Sequence, residues 1–273
     1  MRLATFLPPG SETPRAGEVR EEGGQLRVFG YAQEQLTVRD RLADLDEAAP
    51  VESAGWALAD VTLLAPVPAP RAIFGIGLNY EDHLREMGGA SSSKVERPAQ
   101  PLVFVKLPSS AAPPNAPVRC PPVVRRLDYE GELAVVMGPG RSVAGYAVAD
   151  DVTARDLQGR EPQWTRAKGA DGFCPYGPWI TTADEVPDPH ALALRTWVNG
   201  ELRQDSSTAN LIFTVPELIE FISQTCTLQA GDVILTGTPA GVGQGQDPPA
   251  FLQGGDVVRI EIERLGAIEH SVA

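Results

Sequence analysis

Apolar residues in this chain fall in short runs, mostly alternating with polar positions and mostly bounded by glycine or proline. Period-two alternation predicts a strand at Gln25–Tyr31, while Thr37–Leu45 reads equally as a strand end or as one helical turn. Pro66, Pro68 and Pro70 then punctuate the passage into a buried strand at Ala72–Ile76. Further strands are predicted at Leu102–Lys106, Glu132–Met137, Gly145–Ala149, Leu194–Val198, Val233–Thr236 and Val257–Ile262. Helical spacing is rare. Tyr80–Met87 is one short helix, with Asn79 as a possible cap, and Val215–Gln224 is another, its Leu218, Ile219 and Ile222 on one face. The pattern therefore predicts a strand-rich α+β fold without a solenoid repeat. The prolines near residue 66 divide it into a small β-rich extension, 1–66, and a main unit, 67–273. Two Gly/Pro-rich loops, "MGGASSSKVERPAQ" and "GTPAGVGQGQDPPAF", are long enough to carry function.

Composition narrows the partners. The 273 residues include 23 Lys+Arg against 36 Asp+Glu, a formal net charge of −13. Nucleic acid and anionic membrane both select a basic footprint, so this balance argues against either. No apolar run approaches the roughly 20 residues of a membrane helix. The first ten residues, broken by Pro8 and Pro9, do not read as a signal peptide, so a cytoplasmic location is expected. Cys120, Cys174 and Cys226 are scattered and odd in number, which suits neither a disulfide framework nor a zinc site. A chain of this length buries about three quarters of its unfolded surface and needs no staples.

Candidate chemistry gathers at a few places. In "DYEGELAVVMG" a strand would put Glu130 and Glu132 on the same face, where two carboxylates repel unless a cation joins them. Such oxygens suit a hard divalent ion, Mg²⁺, Mn²⁺ or Ca²⁺, although a solvated strand end has the same look. Asp150, Asp151 and Asp156 follow in "GYAVADDVTARDLQ" at the end of a buried strand, where helix capping by Asp151 is the plainer alternative. His83 and Glu86, three apart in "NYEDHLREMG", are neighbours if helical, and a carboxylate beside imidazole suits a general base. An ordinary surface ion pair is the competing reading. His190 and His270 read as structural or solvated. Lys168, in "KGADGFCPYGPW", suits an anion or an enolate oxygen if it is not simply a solvated loop lysine. "GIGLNY" and "GTPAGVGQG" both lack residues that a nucleotide loop needs. The second loop still offers backbone amides and the Thr238 hydroxyl to a ligand carboxylate.

Taken in order, "GIGLNYEDHLREMG", "FVKLPSS", "DYEGELAVVMG", "GYAVADDVTARDLQ", "KGADGFCPYGPWI", "VNGELRQDSSTANLIF" and "LQAGDVILTGTPAGVG" resemble the fumarylacetoacetate hydrolase family. The resemblance runs from about Pro66 to the C-terminus. It implies a mixed β-sandwich roll, a homodimer, and one divalent metal, Mg²⁺ or Mn²⁺, with Ca²⁺ a further ion the same oxygens accept. Residue by residue it makes Glu130, Glu132 and Asp151 metal ligands and His83 and Glu86 a water-activating dyad on a lid. Lys168 faces the substrate's enolate oxygen, and Gln158 and Thr238 contact substrate. Asp150 departs from the family, which often has a neutral residue there. Ala170 and Gly172 make the lysine loop roomier than in many relatives. The implied substrate is a small anionic keto acid. The implied reaction is hydrolysis of a carbon–carbon bond in a 2,4-diketo acid of the acylpyruvate or fumarylpyruvate type. Its alternatives are isomerisation or decarboxylation of an unsaturated 2-keto diacid in aromatic catabolism, and decarboxylation of oxaloacetate. A keto-acid-binding protein without turnover and a purely structural Ca²⁺ site are the non-catalytic alternatives.

Overall fold

A computed structural model describes residues 1–47, 49–88 and 96–273, and among these described residues there are eighteen strands and five short α-helices. The amino-terminal elements are β1 (Arg2–Leu7), β2 (Arg15–Glu22), β3 (Gln25–Gly30), α1 (Val38–Ala43), β4 (Trp56–Ala57) and β5 (Thr62–Leu63). Next come β6 (Ile73–Gly77), α2 (Glu81–Gly88), β7 (Leu102–Lys106), β8 (Ala111–Ala112), β9 (Leu127–Asp128), β10 (Gly131–Met137) and β11 (Val143–Asp150). Then follow β12 (Thr153–Ala154), α3 (Arg155–Gln158), α4 (Thr165–Lys168) and β13 (Cys174–Thr182). The chain closes with β14 (Ala193–Val198), β15 (Glu201–Ser207), α5 (Val215–Ser223), β16 (Val233–Leu235), β17 (Val257–Ile262) and β18 (Gly266–Ser271).

One mixed sheet runs β4-β3-β2-β1-β13-β11-β10-β16-β6-β7, and a smaller antiparallel sheet runs β15-β14-β17-β18. The strand-rich α+β reading holds. β10 and β11 are buried along almost their whole length because both of their faces are covered, so they read as near-continuous apolar runs. Leu133, Val135 and Val148 of the large sheet pack with Leu194, Val258 and Ile260 of the small one in the main core cluster. The amino-terminal strands extend the same large sheet, since β1 pairs with β13 at Arg2↔Thr181 and Leu3↔Ile180.

Of the two readings open for Thr37–Leu45 the helical one holds, and other segments differ from the sequence pattern. Residues 38–43 form a helix, capped by Thr37 in a reciprocal box with Asp40. β13 is hidden in the sequence because Pro175, Gly177 and Pro178 interrupt it, as prolines that cannot donate to a ladder normally would. β15 is polar, but the Asn199-Gly200 turn before it has both residues at positive φ, 52° and 79°, the hairpin geometry that this dipeptide favours. Asn79 does not spend its side chain on capping. Its amide donates to Thr236 O and Phe213 O and accepts from the Phe213 N–H, tying three segments together.

Candidate active site

The antiparallel register of β10 and β11 pairs Gly131 with Asp150, which sets Glu130 opposite Asp151 at the mouth of the hairpin. The Asp151 N–H donates to Glu130 O at 2.9 Å. As a result, carboxylate oxygens of Glu130, Glu132 and Asp151 lie within 4.8 Å of one another, and all three side chains are buried. Gly131 between them carries no side chain because one would strike the Thr196 hydroxyl and crowd Gln204.

Buried cations surround this triad. Lys168, at the end of α4 and only 2% exposed, donates to Glu130 Oε2 at 2.6 Å and Asp151 Oδ2 at 2.7 Å. It is therefore not a solvated loop lysine. Lys106, at the end of β7, donates to the other Asp151 oxygen at 2.5 Å. Arg155, opening α3, pairs with Glu130 Oε1 at 2.6 Å and donates to Asp128 Oδ2 at 2.8 Å. Burial pushes Glu130 upward in pKa, but Lys168 and Arg155 outweigh it and hold the group at about 2. Glu132 has no such partner. Burial and the Asp151 and Glu130 charges push its carboxyl well above the usual carboxylate range, against the Lys168 charge and the Gly237 N–H that donates to it at 2.7 Å. Burial works against the Lys168 charge, yet Asp151 and Glu130 more than compensate and hold it protonated. Burial pushes Asp128 upward too, against the pull of Arg155.

Five buried acids, Asp128, Glu130, Glu132, Asp150 and Asp151, face three buried cations, Lys106, Arg155 and Lys168, so Glu132 has no positive charge to spare for its ionised form. A buried excess of negative charge on convergent oxygens, with Glu132 short of a cation, fits a hard divalent ion. A divalent ion would offset this excess and bring local positive charge to the cavity, which suits an anionic ligand.

Helix α2 presents His83, whose Nδ1 lies 3.0 Å from Glu86 Oε2. The other Glu86 oxygen accepts the Gly241 N–H at 2.8 Å, so this carboxylate is fixed at both ends. Gly245 is bare because a β-carbon there would collide with the Glu86 carboxylate. A carboxylate accepts, so in the neutral ring the Nδ1–H faces Glu86 and Nε2 is the acceptor. A cavity of about 330 Å³ is lined by His83 and Glu86 together with Glu130, Glu132 and Lys168. Gln158 and Thr238 line it as well.

The Thr238 hydroxyl donates to Gly131 O at 3.0 Å and accepts from Gln204 Nε2 at 2.8 Å. The loop amides, expected to meet a ligand carboxylate, are taken by the protein's own acids instead. Gly237 serves Glu132, Gly241 serves Glu86, and Gly243 and Gln244 serve Asp128. Asp156 turns outward to accept from the Arg125 N–H, away from the triad. Lys106 and Arg155 are missing from the sequence reading, and Asp128, the first acid of the DYEGE cluster, has no role in it. One signal existed for Lys106, because the alternation of β7 puts it on the same face as Phe104, which lines the cavity. The lid expected after Met87 lies outside the described residues.

The family model for the fumarylacetoacetate hydrolase C-terminal domain matches residues 72–273. The chain belongs to the fumarylacetoacetate hydrolase family. Among its relatives, the Bos taurus protein named oxaloacetate tautomerase FAHD2B, mitochondrial, is 45% identical over all of this chain and 91% of its own length. Oxaloacetate tautomerase YisK of Bacillus subtilis is 42% identical over 80% of this chain and 75% of its own. The crystal structure of 2-hydroxyhepta-2,4-diene-1,7-dioate isomerase from Mycobacterium marinum superposes with a TM-score of 0.81 at 34% identity, covering 100% of this chain and 98% of that one. These family members span tautomerisation and isomerisation in their names. Among the described residues, no helix is long and apolar enough to cross a membrane.

Proposed function

We propose that this enzyme moves a proton at the carbon beside the ketone of a small 2-oxo dicarboxylic acid, oxaloacetate first, interconverting its keto and enol forms. The observation that carries this reading is the placement of an oriented base, His83, in one small cavity with a cluster of buried cations and carboxylates. The names of the bovine and Bacillus relatives support the choice of substrate. Glu130, Glu132 and Asp151 would hold Mg²⁺ or Mn²⁺, which would supply positive charge to an anionic substrate and its enolate. His83 Nε2 takes the proton from the carbon next to the ketone while Glu86 holds the ring and stabilises the imidazolium. The electron pair of that bond forms the new carbon–carbon double bond while the carbonyl π pair moves to the oxo oxygen, where Lys168 donates a hydrogen bond to the developing charge. Transfer of that proton from the His83 imidazolium to the oxygen completes the enol and restores the neutral base. Gln158 and Thr238 line the wall against which the acid lies.

The test is the rate at which oxaloacetate reaches its keto–enol equilibrium, followed by enol absorbance with Mg²⁺ or Mn²⁺ present. The wild-type chain is expected to accelerate it beyond the metal alone. His83→Ala should lose about 10²-fold or more while still binding Mn²⁺. No acceleration by wild type sinks the reading, and loss of Mn²⁺ binding in His83→Ala contradicts the assigned roles.

A second reading, hydrolysis of a 2,4-diketo acid, draws support from the space beside the cavity. A second hollow of about 560 Å³ shares Arg155, Gln158, Trp164 and Gln244 with the first and offers space for a larger substrate. There the same dyad would activate water. Release of pyruvate from acetylpyruvate at a rate matching oxaloacetate tautomerisation would favour it. A purely structural Ca²⁺ site gains only if Glu130→Ala lowers the melting temperature and leaves turnover untouched.

A further inference from the structure

We propose that His270 and Gln204, buried polar side chains of the small sheet, are positioning residues for the carboxylate triad. They act through the two backbone amides that flank Glu130. The Glu130 N–H donates to Asp150 Oδ1 at 2.8 Å, and the Gly131 N–H donates to Gln204 Oε1 at 3.0 Å. Each acceptor is itself aimed from the far side. His270 Nε2, on β18, lies 2.8 Å from the second Asp150 oxygen, and an ionised carboxylate can only accept, so Nε2 is the donor. Gln204, on β15, donates its Nε2 to Thr238 Oγ1 at 2.8 Å and Pro239 O at 2.9 Å, which turns its oxygen toward Gly131. Asp150 and Gln204 are fully buried and His270 is 1% exposed, so water cannot replace any of these partners.

The consequence is geometric. Two successive amides, one held by Asp150 and one by Gln204, set the peptide planes on either side of Glu130. Those planes fix the directions in which Glu130 and Glu132 leave the strand. Asp150 also sits directly before Asp151, so one carboxylate links all three members of the triad to the small sheet. Groups that orient ligands in this way set affinity for the ion more than they set the chemistry at full occupancy. The inference rests on reading the triad as a divalent-cation site.

Mn²⁺ titrations by calorimetry on the intact chain test it, alongside turnover at saturating Mn²⁺. His270→Leu and Gln204→Leu should each weaken Mn²⁺ binding by about 10–100-fold. Their turnover at saturating metal should stay near that of wild type. His270→Gln, which keeps an N–H donor, should recover most of the lost affinity. If a leucine variant does not fold, His270→Asn, too short to reach Asp150, takes its place. Unchanged Mn²⁺ affinity in the folded variants, even with a lower melting temperature, overturns the proposal. A wild-type chain that binds no Mn²⁺ overturns the metal-site reading itself and this inference with it.

Discussion

Lys168 takes its ammonium where water does not follow, and it holds two carboxylates apart by bonding to both. Lys168→Met leaves Glu130 and Asp151 facing each other with one cation fewer, and breaking a buried ion pair costs about 3–5 kcal/mol. The variant is expected to lose turnover and to melt lower than wild type in EDTA. Saturating Mn²⁺ should raise its melting temperature more than it raises that of wild type, because the added ion meets a larger charge deficit. Equal increments in a calorimetric scan would show that lysine and ion do not share these oxygens. At this scale the sequence is informative where chemistry and spacing coincide. Glu130 and Glu132 share a strand face by period two, and His83 and Glu86 share a helix face by their spacing. Arg155 and Asp128 are silent, because nothing local tells that an arginine opening a four-residue helix turns inward to meet an aspartate 27 positions back.

The hairpin of β10 and β11 is the element that assembles the triad, and it tolerates no bulk at its first residue. Gly131→Ala drives a β-carbon into Thr196 and Gln204. Overpacking of this kind costs about 1–3 kcal/mol, and chemical denaturation should read that loss together with weaker Mn²⁺ binding. Stability lost with Mn²⁺ affinity intact would mean that the strand start relaxes without moving the glutamates. Helix α5 offers a cleaner case. Thr214 and Glu217 cap each other, and Thr214→Ala should cost about 1 kcal/mol. The Thr214 hydroxyl and then its amide hold Glu217 below its ordinary pKa. A folded-state value below the unfolded one contributes stability above the unfolded value and loses it as pH falls through the folded value. The gap between wild type and Glu217→Gln should therefore be present at neutral pH and close in acid; a gap that persists in acid would assign it to packing. Elements such as β7, β10 and β17 are legible in the sequence because their apolar runs are clean. β13 is not, since its Gly-Pro interior reads as a loop until β1 and β11 pair with it on either side.

Across the whole molecule the charge of −13 divides into a solvated surface and a small buried set partly balanced by Lys106, Arg155 and Lys168. An ion bound only by the folded chain should stabilise it by about 2.7 kcal/mol at 100 times its dissociation constant. For a chain of this size that is a rise of roughly 5–10 °C in melting temperature. Glu132→Gln should abolish the rise, and a rise that survives would place the ion elsewhere. The two sheets meet at this set, so the fold and the site are one construction, and the sequence shows the parts of it without showing how they meet. Trp164 adds something practical. It lines both hollows and sets its ring edge-on to Phe104, 5.5 Å between centroids. Trp56, Trp179 and Trp197 lie on other parts of the molecule, away from both hollows. A ligand entering either hollow should therefore change the emission of one tryptophan in four, and Trp164→Phe should silence that change. The wall of the cavity thus doubles as a built-in fluorophore, able to report occupancy by compounds that are never turned over.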